Sequence, residues 1–182
     1  MNPIAEKLIS SVPTTNKWEN SQWSRLGVAA SKPIGAFGEA WMLEDLRQKG
    51  YSVEKGRQNR KGEIGHDILL VEGSCKVEVK TACAVFNHGV QKLTLDSAHW
   101  QHLVLDSADV YIFIGINPEN NYHVRQGWRD TLEEYFILYF TREEILNIEK
   151  EGLFSPQDEK LQTKAIFLKA LDYAYDYREF PY

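Results

Sequence analysis

Hydrophobic and polar positions along this chain follow two different periods, and the switch between them marks its elements. From Ile34 to Lys49, Phe37, Ala40, Leu43 and Leu46 recur at spacings of three, which predicts a helix. Gly50 stands where a C-terminal glycine belongs. Tyr51–Lys55 reads as a short strand, and Gly56–Gly65, polar and glycine-rich, as a loop. Two apolar runs follow, Asp67–Val71 and Cys75–Thr81, joined by Glu72-Gly73-Ser74. That pattern predicts a β-hairpin. Asn87-His88-Gly89 signals another turn. Ser97–Asp106 reads as a helix on the spacing of Trp100, Leu103 and Val104. Val110–Ile116 and Tyr135–Phe140 are predicted strands, rich in β-branched and aromatic residues. Helices are predicted from Thr141 or Arg142 to Glu151 and from Asp158 to about Arg178. The last carries Leu161, Ala165, Leu168, Leu171 and Tyr175 on one stripe, with Tyr173, Tyr177, Phe180 and Tyr182 left as spare aromatic area for dimerisation. Residues 1–32 form an N-terminal arm with a short helix near Ile4–Val12, and 33–182 form one domain. The order of elements predicts an α/β fold, a mixed central sheet flanked by helices with extra helices at the C-terminus.

Composition narrows the class. A chain of 182 residues, 43% hydrophobic and 26% charged, suits one folded domain. The longest apolar run, Val110–Ile116, is far short of the ~20 residues a membrane helix needs. The N-terminus shows no basic stretch followed by an apolar one, so a cytoplasmic location is expected and no membrane partner. Cys75 and Cys83 fall on one extended segment, ~26 Å apart at strand rise, too far to bridge. Both are expected to be reduced thiols.

Charge is unevenly spread. Residues 47–61 hold Arg47, Lys49, Lys55, Arg57, Arg60 and Lys61 against Glu54, a net +5, so the rest of the chain, with a total of −5, carries −10. An acidic body argues against non-specific coating of nucleic acid, but not against a local basic surface. Just past this stretch, Lys76-Val77-Glu78-Val79-Lys80 alternates, placing Lys76, Glu78 and Lys80 on one strand face. With a turn near Gly73, Asp67 is expected opposite Val79, beside Glu78 and Lys80. Neighbouring strands lie ~4.8 Å apart, so two carboxylates and an ammonium meet at the open end of the hairpin. Paired carboxylates repel and call for a cation. A hard divalent ion suits oxygen ligands, here Asp67, Glu78 and the carbonyl of Val79. Lys80 can orient or deprotonate an attacking water, a set suited to phosphodiester hydrolysis. A surface salt-bridge ladder would produce the same alternation.

These residues resemble a family. Gly65-His66-Asp67-Ile68-Leu69-Leu70 followed by Val77-Glu78-Val79-Lys80-Thr81-Ala82 looks like the PD-(D/E)XK nuclease superfamily, over roughly Ile34 to Ile116. The Glu-Val-Lys-Thr-Ala ending is closest to the resolvase and homing-endonuclease branches. His66 stands where the family name has proline. The resemblance implies a restriction-endonuclease-like core, Mg²⁺ as cofactor with Mn²⁺ substituting, and DNA as substrate. Members often carry a glutamate on the helix before the core sheet, and Gly38-Glu39-Ala40 occupies that place. Glu39 lies at i−4 and i−7 from Leu43 and Leu46, facing the sheet, where an acid is costly unless paired or metal-linked. A first-turn acid favoured by the helix dipole is the other explanation.

The basic loop Arg57-Gln58-Asn59-Arg60-Lys61-Gly62 precedes the site, and Arg57, Arg60 and Lys61 are candidates for phosphate contact. A merely solvated loop has the same composition. His88, His99, His102 and His123 lack a paired acid at useful spacing. The expected activity is a divalent-metal-dependent DNA endonuclease, of restriction, homing or resolvase type, with a homodimer as the natural duplex cutter. The alternative is a nuclease-fold module that binds nucleic acid without cutting it.

Overall fold

The computed structural model describes residues 2–9, 22–23, 25–26, 31–56, 65–87, 92–94, 100, 103–116, 134–158, 163–166 and 168–181. In chain order these form α1 (Pro3–Ile9), α2 (Ser31–Gln48), β1 (Val53–Lys55), β2 (Ile68–Leu70), β3 (Cys75–Cys83), β4 (Val85–Asn87), β5 (Lys92–Thr94) and β6 (Leu103–Val104). There follow β7 (Val110–Ile116), β8 (Tyr135–Thr141), α3 (Arg142–Lys150), β9 (Phe154–Asp158), β10 (Thr163–Ile166) and β11 (Tyr175–Asp176). The protein is α/β, with a mixed sheet in the order β1-β2-β3-β7-β8-β11. Among the described residues of this sheet the β3–β7 pair is parallel, and β1–β2, β2–β3, β7–β8 and β8–β11 are antiparallel. A three-stranded sheet, β6-β10-β9, and the hairpin β4-β5 stand beside it.

β7 is buried along its whole length, as its unbroken apolar run requires for a strand covered on both faces. On one face, Val77 and Val79 line up with Val110, Ile112 and Tyr139. Helix α2 lies over this face, with Phe37, Gly38, Trp41, Met42 and Leu46 buried. Trp41 packs on Trp23 and Tyr135, and α1 joins the same core through Ile4, Ala5 and Ile9. On the other face, Tyr111 and Phe113 stand beside Glu78 and Lys80. Trp100 packs on Phe113 and donates Nε1–H to the Ile114 carbonyl. The Tyr111 hydroxyl accepts from the N–H groups of Ser107 and Ala108. Helix α3 starts at a Thr141–Glu144 capping box and packs against β7 and β8, burying Ile145 and Ile148. Among the described residues no helix is long and apolar enough to cross a membrane.

Three expectations need correction. The described part of Ser97–Asp106 is not helical: Leu103–Val104 is a strand paired with β10. Nor do the described residues between Asp158 and Arg178 form the expected α-helix. That stretch holds the end of β9, then β10, a 3-10 helix at Leu168–Tyr173, β11 and a second 3-10 turn at Tyr177–Glu179. The extra C-terminal helices are therefore short 3-10 turns and strands. The spare aromatics are only partly spare. Tyr177 and Phe180 are buried, Phe180 against Tyr51 and Tyr139, while Tyr173 is exposed. Cys75 and Cys83 sit at the two ends of β3 as free thiols, as expected.

Candidate functional site

The β2–β3 hairpin is the scaffold. Its register pairs Ile68 with Val77 and Leu70 with Cys75, one residue away from the expectation that Asp67 faces Val79. The cause is a four-residue turn. Val71 leaves the strand and donates its N–H to Ser52, and the turn closes with Ser74 N–H to the Val71 carbonyl. A one-residue change of register moves side chains to the other sheet face. Here it carries Asp67, just past the last pair, to the side of Glu78.

Backbone bonds show which way β3 faces at each position. Lys76 exchanges bonds with Asp109: its N–H donates to Asp109 Oδ2 at 2.8 Å, and its carbonyl accepts from Asp109 N–H at 2.9 Å. Val77 turns instead to β2, its carbonyl accepting from Asp67 N–H at 3.0 Å. Val79 follows Val77 in this alternation, and its N–H donates to Asp67 Oδ2 at 2.7 Å. In an extended strand the N–H and C=O of one residue point the same way, so the Val79 carbonyl also turns towards Asp67, beyond the end of β2.

Glu78 is only 9% exposed. A solvated salt-bridge ladder would leave it in water, so its burial argues against that explanation. Lys80 Nζ donates to Glu78 Oε1 at 2.5 Å, and this pair is mostly shielded. Burial raises the Glu78 pKa to about 7, opposed by the Lys80 charge and reinforced by Asp67 and Glu39. Burial likewise raises Asp67, opposed by the Val79 N–H and by the charges of Lys80, His66 and Lys55. Glu39, on the first half of α2, is half-buried, flanking the buried stripe rather than lying on it. Its pKa is raised by burial and then by Asp67, while Lys55 and Lys80 lower it. Each carboxyl thus feels at least one of the others.

Two close approaches hold these groups together. Gly38 lies so near β3 that a Cβ there would fall 1.7 Å from Thr81 Oγ1, which brings the adjacent Glu39 to the site. Gly56 donates its N–H to the Asp67 carbonyl at 2.7 Å, and a Cβ on it would lie 1.9 Å from the His66 carbonyl oxygen.

Asp67, Glu78, Lys80, Val79 and Glu39 are therefore gathered in one place. Arg57, Arg60 and Lys61 lie outside the described residues, as do His88, His99, His102 and His123. Gly56 and Gly65, which bracket the basic loop, both stand beside Asp67 in space or sequence. Sequence reading counted Lys55 only within the basic stretch and gave His66 no role beyond a family departure. Lys55 comes to Asp67 through the pairing of β1 with β2, announced locally only by the apolar Tyr51 and Val53, whereas His66 is simply the residue before Asp67 in the chain.

A hard cation suits these donors chemically: two carboxylate groups and a carbonyl, all oxygen, with both acids made reluctant to ionise by burial. Among the described residues no three His, Cys, Asp or Glu side chains form a metal cage on their own. No protein-family model matches the chain, and no curated protein matches it in sequence.

Proposed function

We propose that the protein is a divalent-metal-dependent DNA endonuclease with a restriction-endonuclease-like core. The observation that carries this reading is Glu78: a buried glutamate beside Asp67, held by Lys80 at 2.5 Å, at the open end of a hairpin. Burying such charges is costly without a partner of opposite sign, and an ion pair alone gains little over apolar packing. A module that only binds nucleic acid has no use for that arrangement.

Asp67, Glu78 and the Val79 carbonyl would hold Mg²⁺, with Mn²⁺ able to substitute. When bound, the ion supplies positive charge to phosphate oxygens and lowers the pKa of the attacking water. The remaining work falls to the chain. Asp67 is aimed by the Val79 N–H, which fixes one carboxylate oxygen. Glu78 is buried, with Tyr111 opposite it in β7 and Lys80 bonded to its carboxylate. The Lys80 ammonium lies on the same strand face, where it stabilises hydroxide and the negative charge that builds on the phosphorus oxygens. Glu39 adds a third carboxylate from the α2 side. Arg57, Arg60 and Lys61 follow Gly56 in sequence and would pair with backbone phosphates. Cutting both strands of a duplex calls for two sites, hence a homodimer.

The test is incubation with plasmid, linear, single-stranded and four-way-junction DNA in Mg²⁺, Mn²⁺ or EDTA. Cleavage is expected in either metal and none in EDTA, and the substrate consumed names the branch. Glu78→Ala should abolish cutting and leave DNA binding largely intact. DNA binding by the native protein without cutting of any substrate supports the binding-module reading instead.

A further inference from the structure

Lys55 ends β1 and has no part in the mechanism above. It pairs with Ile68, the residue that follows Asp67. The next residue, Gly56, is bonded to the Asp67 carbonyl at 2.7 Å and has no room for a side chain against the His66–Asp67 backbone. These two fixings pin the end of β1 to Asp67, so the base of Lys55 cannot drift from the acids. Its side chain is nevertheless exposed. Its charge reaches both Glu39 and Asp67.

The two lysines of the site differ in one respect. Lys80 is engaged by Glu78 at hydrogen-bond distance and is mostly shielded. Lys55 makes no ion pair among the described residues. A lysine placed only to neutralise the carboxylates gains most by sitting on one of them, as Lys80 does. An anionic ligand approaching Glu39, Asp67 and Glu78 meets like charge and needs a cation on the open side of the cluster. Lys55, exposed at the end of β1 and held beside Asp67, makes no ion pair among the described residues and is free to supply that cation.

We propose that Lys55 is a substrate-contact residue, its ammonium pairing with a non-bridging oxygen of a phosphodiester laid across the open end of the β2–β3 hairpin. This rests on the nuclease reading and adds to it a second lysine, on the α2 side of Asp67.

The experiment is fluorescence anisotropy of a labelled DNA duplex with the full chain. It is run in Ca²⁺ over a range of salt, for the native protein, Lys55→Gln, Lys55→Arg and Lys76→Gln. Lys76 is an exposed lysine near the turn end of the same hairpin and controls for loss of one charge anywhere. Lys55→Gln should weaken binding about five- to tenfold and reduce the salt slope by about one. Lys55→Arg should bind within about twofold of native, because a phosphate accepts either cation. Calorimetry with Mn²⁺ on the same proteins separates the roles. If Lys55→Gln tightens Mn²⁺ binding but holds DNA no worse than Lys76→Gln does, Lys55 only neutralises the acids and the proposal is overturned while the nuclease reading stands. If the native protein binds no duplex even at low salt, the nuclease reading falls and Lys55 with it.

Discussion

At the scale of single residues, the Glu78–Lys80 pair sets the chemistry. An ammonium 2.5 Å from a buried carboxylate is preorganised and needs no rearrangement as charge develops next to it. Such a group is typically worth ~3–4 kcal/mol, so Lys80→Ala should slow cleavage by at least ~10²-fold. Because Lys80 competes with a cation for the same Glu78 oxygens, that variant should bind Mn²⁺ no more weakly than the native protein. A loss of Mn²⁺ affinity parallel to the loss of rate would mean that Lys80 shapes the ion site instead. Lys80→Arg should restore little, since a planar guanidinium is larger and hardly ever loses its proton. Full activity in the arginine variant would leave charge stabilisation as the only role. The thiols behave in the opposite way. Burial raises Cys75 to about 11 and Cys83 further, and both are free and buried. Neither should react with a disulfide reagent at pH 8 until the protein is unfolded, and fast labelling of either in the native state would contradict its burial.

At the scale of elements, the position of Glu39 depends on how closely α2 approaches β3. Gly38 is the contact, and Thr81 Oγ1 is the atom a Cβ would strike, a buried hydroxyl with no hydrogen-bond partner among the described residues. Gly38→Ala should destabilise the protein by about 1–3 kcal/mol, as overpacking does, and lower activity by moving Glu39 outwards. Thr81→Ala alone should be mild, and the double variant should recover part of both losses, because only the Thr81 Cβ then remains close. Additive losses in stability and rate would show that the two residues do not share this contact. The same elements explain what could be read from the sequence. The α2 helix was legible through its long apolar period and through Gly50, whose φ of +93° suits the left-handed turn that ends the helix. The β2–β3 hairpin and β7 were legible because their pattern is local. The register was missed by one residue, since the bond from Val71 to Ser52 lies between strands. Trp100, Leu103 and Val104 have helical spacing, but Trp100 and Tyr111 tie that segment to β7 by bonds that no local pattern announces. The stripe from Leu161 to Tyr175 failed likewise: β10 pairs with β6 and β9, and β11 with β8, and these non-local ladders override a helical period. Lys55 was legible only as one charge of the basic stretch, since the β1–β2 pairing is what brings it to Asp67.

At the scale of the whole molecule, the acid cluster makes stability depend on pH and on divalent cations together. Folding raises the Glu78 pKa from 4.5 to about 7, and Asp67 and Glu39 move the same way. A raised carboxyl binds more protons in the folded state than in the unfolded one, so its contribution is fully present below the unfolded pKa and is lost as pH rises through the folded one. In chelator, stability should therefore fall between about pH 4.5 and pH 7, by on the order of 3 kcal/mol from Glu78. A divalent ion reverses the sign, because it binds the ionised carboxylates of the folded state only and stabilises by mass action. Thermal unfolding with Mn²⁺ or EDTA at pH 5 and pH 8 reads both effects, since 1 kcal/mol moves the Tm by about 2–4 °C at this size. The Mn²⁺-induced rise in Tm should be large at pH 8 and small at pH 5, where protons hold the same oxygens. Glu78→Gln should flatten the chelator profile and remove most of the Mn²⁺ shift at pH 8. A native protein whose Tm at pH 8 is the same in Mn²⁺ and EDTA has no cation at Asp67 and Glu78. In that case Glu78 must rely on Lys80 for its opposite charge, and Lys80→Met should destabilise the chain at pH 8 much more than at pH 5.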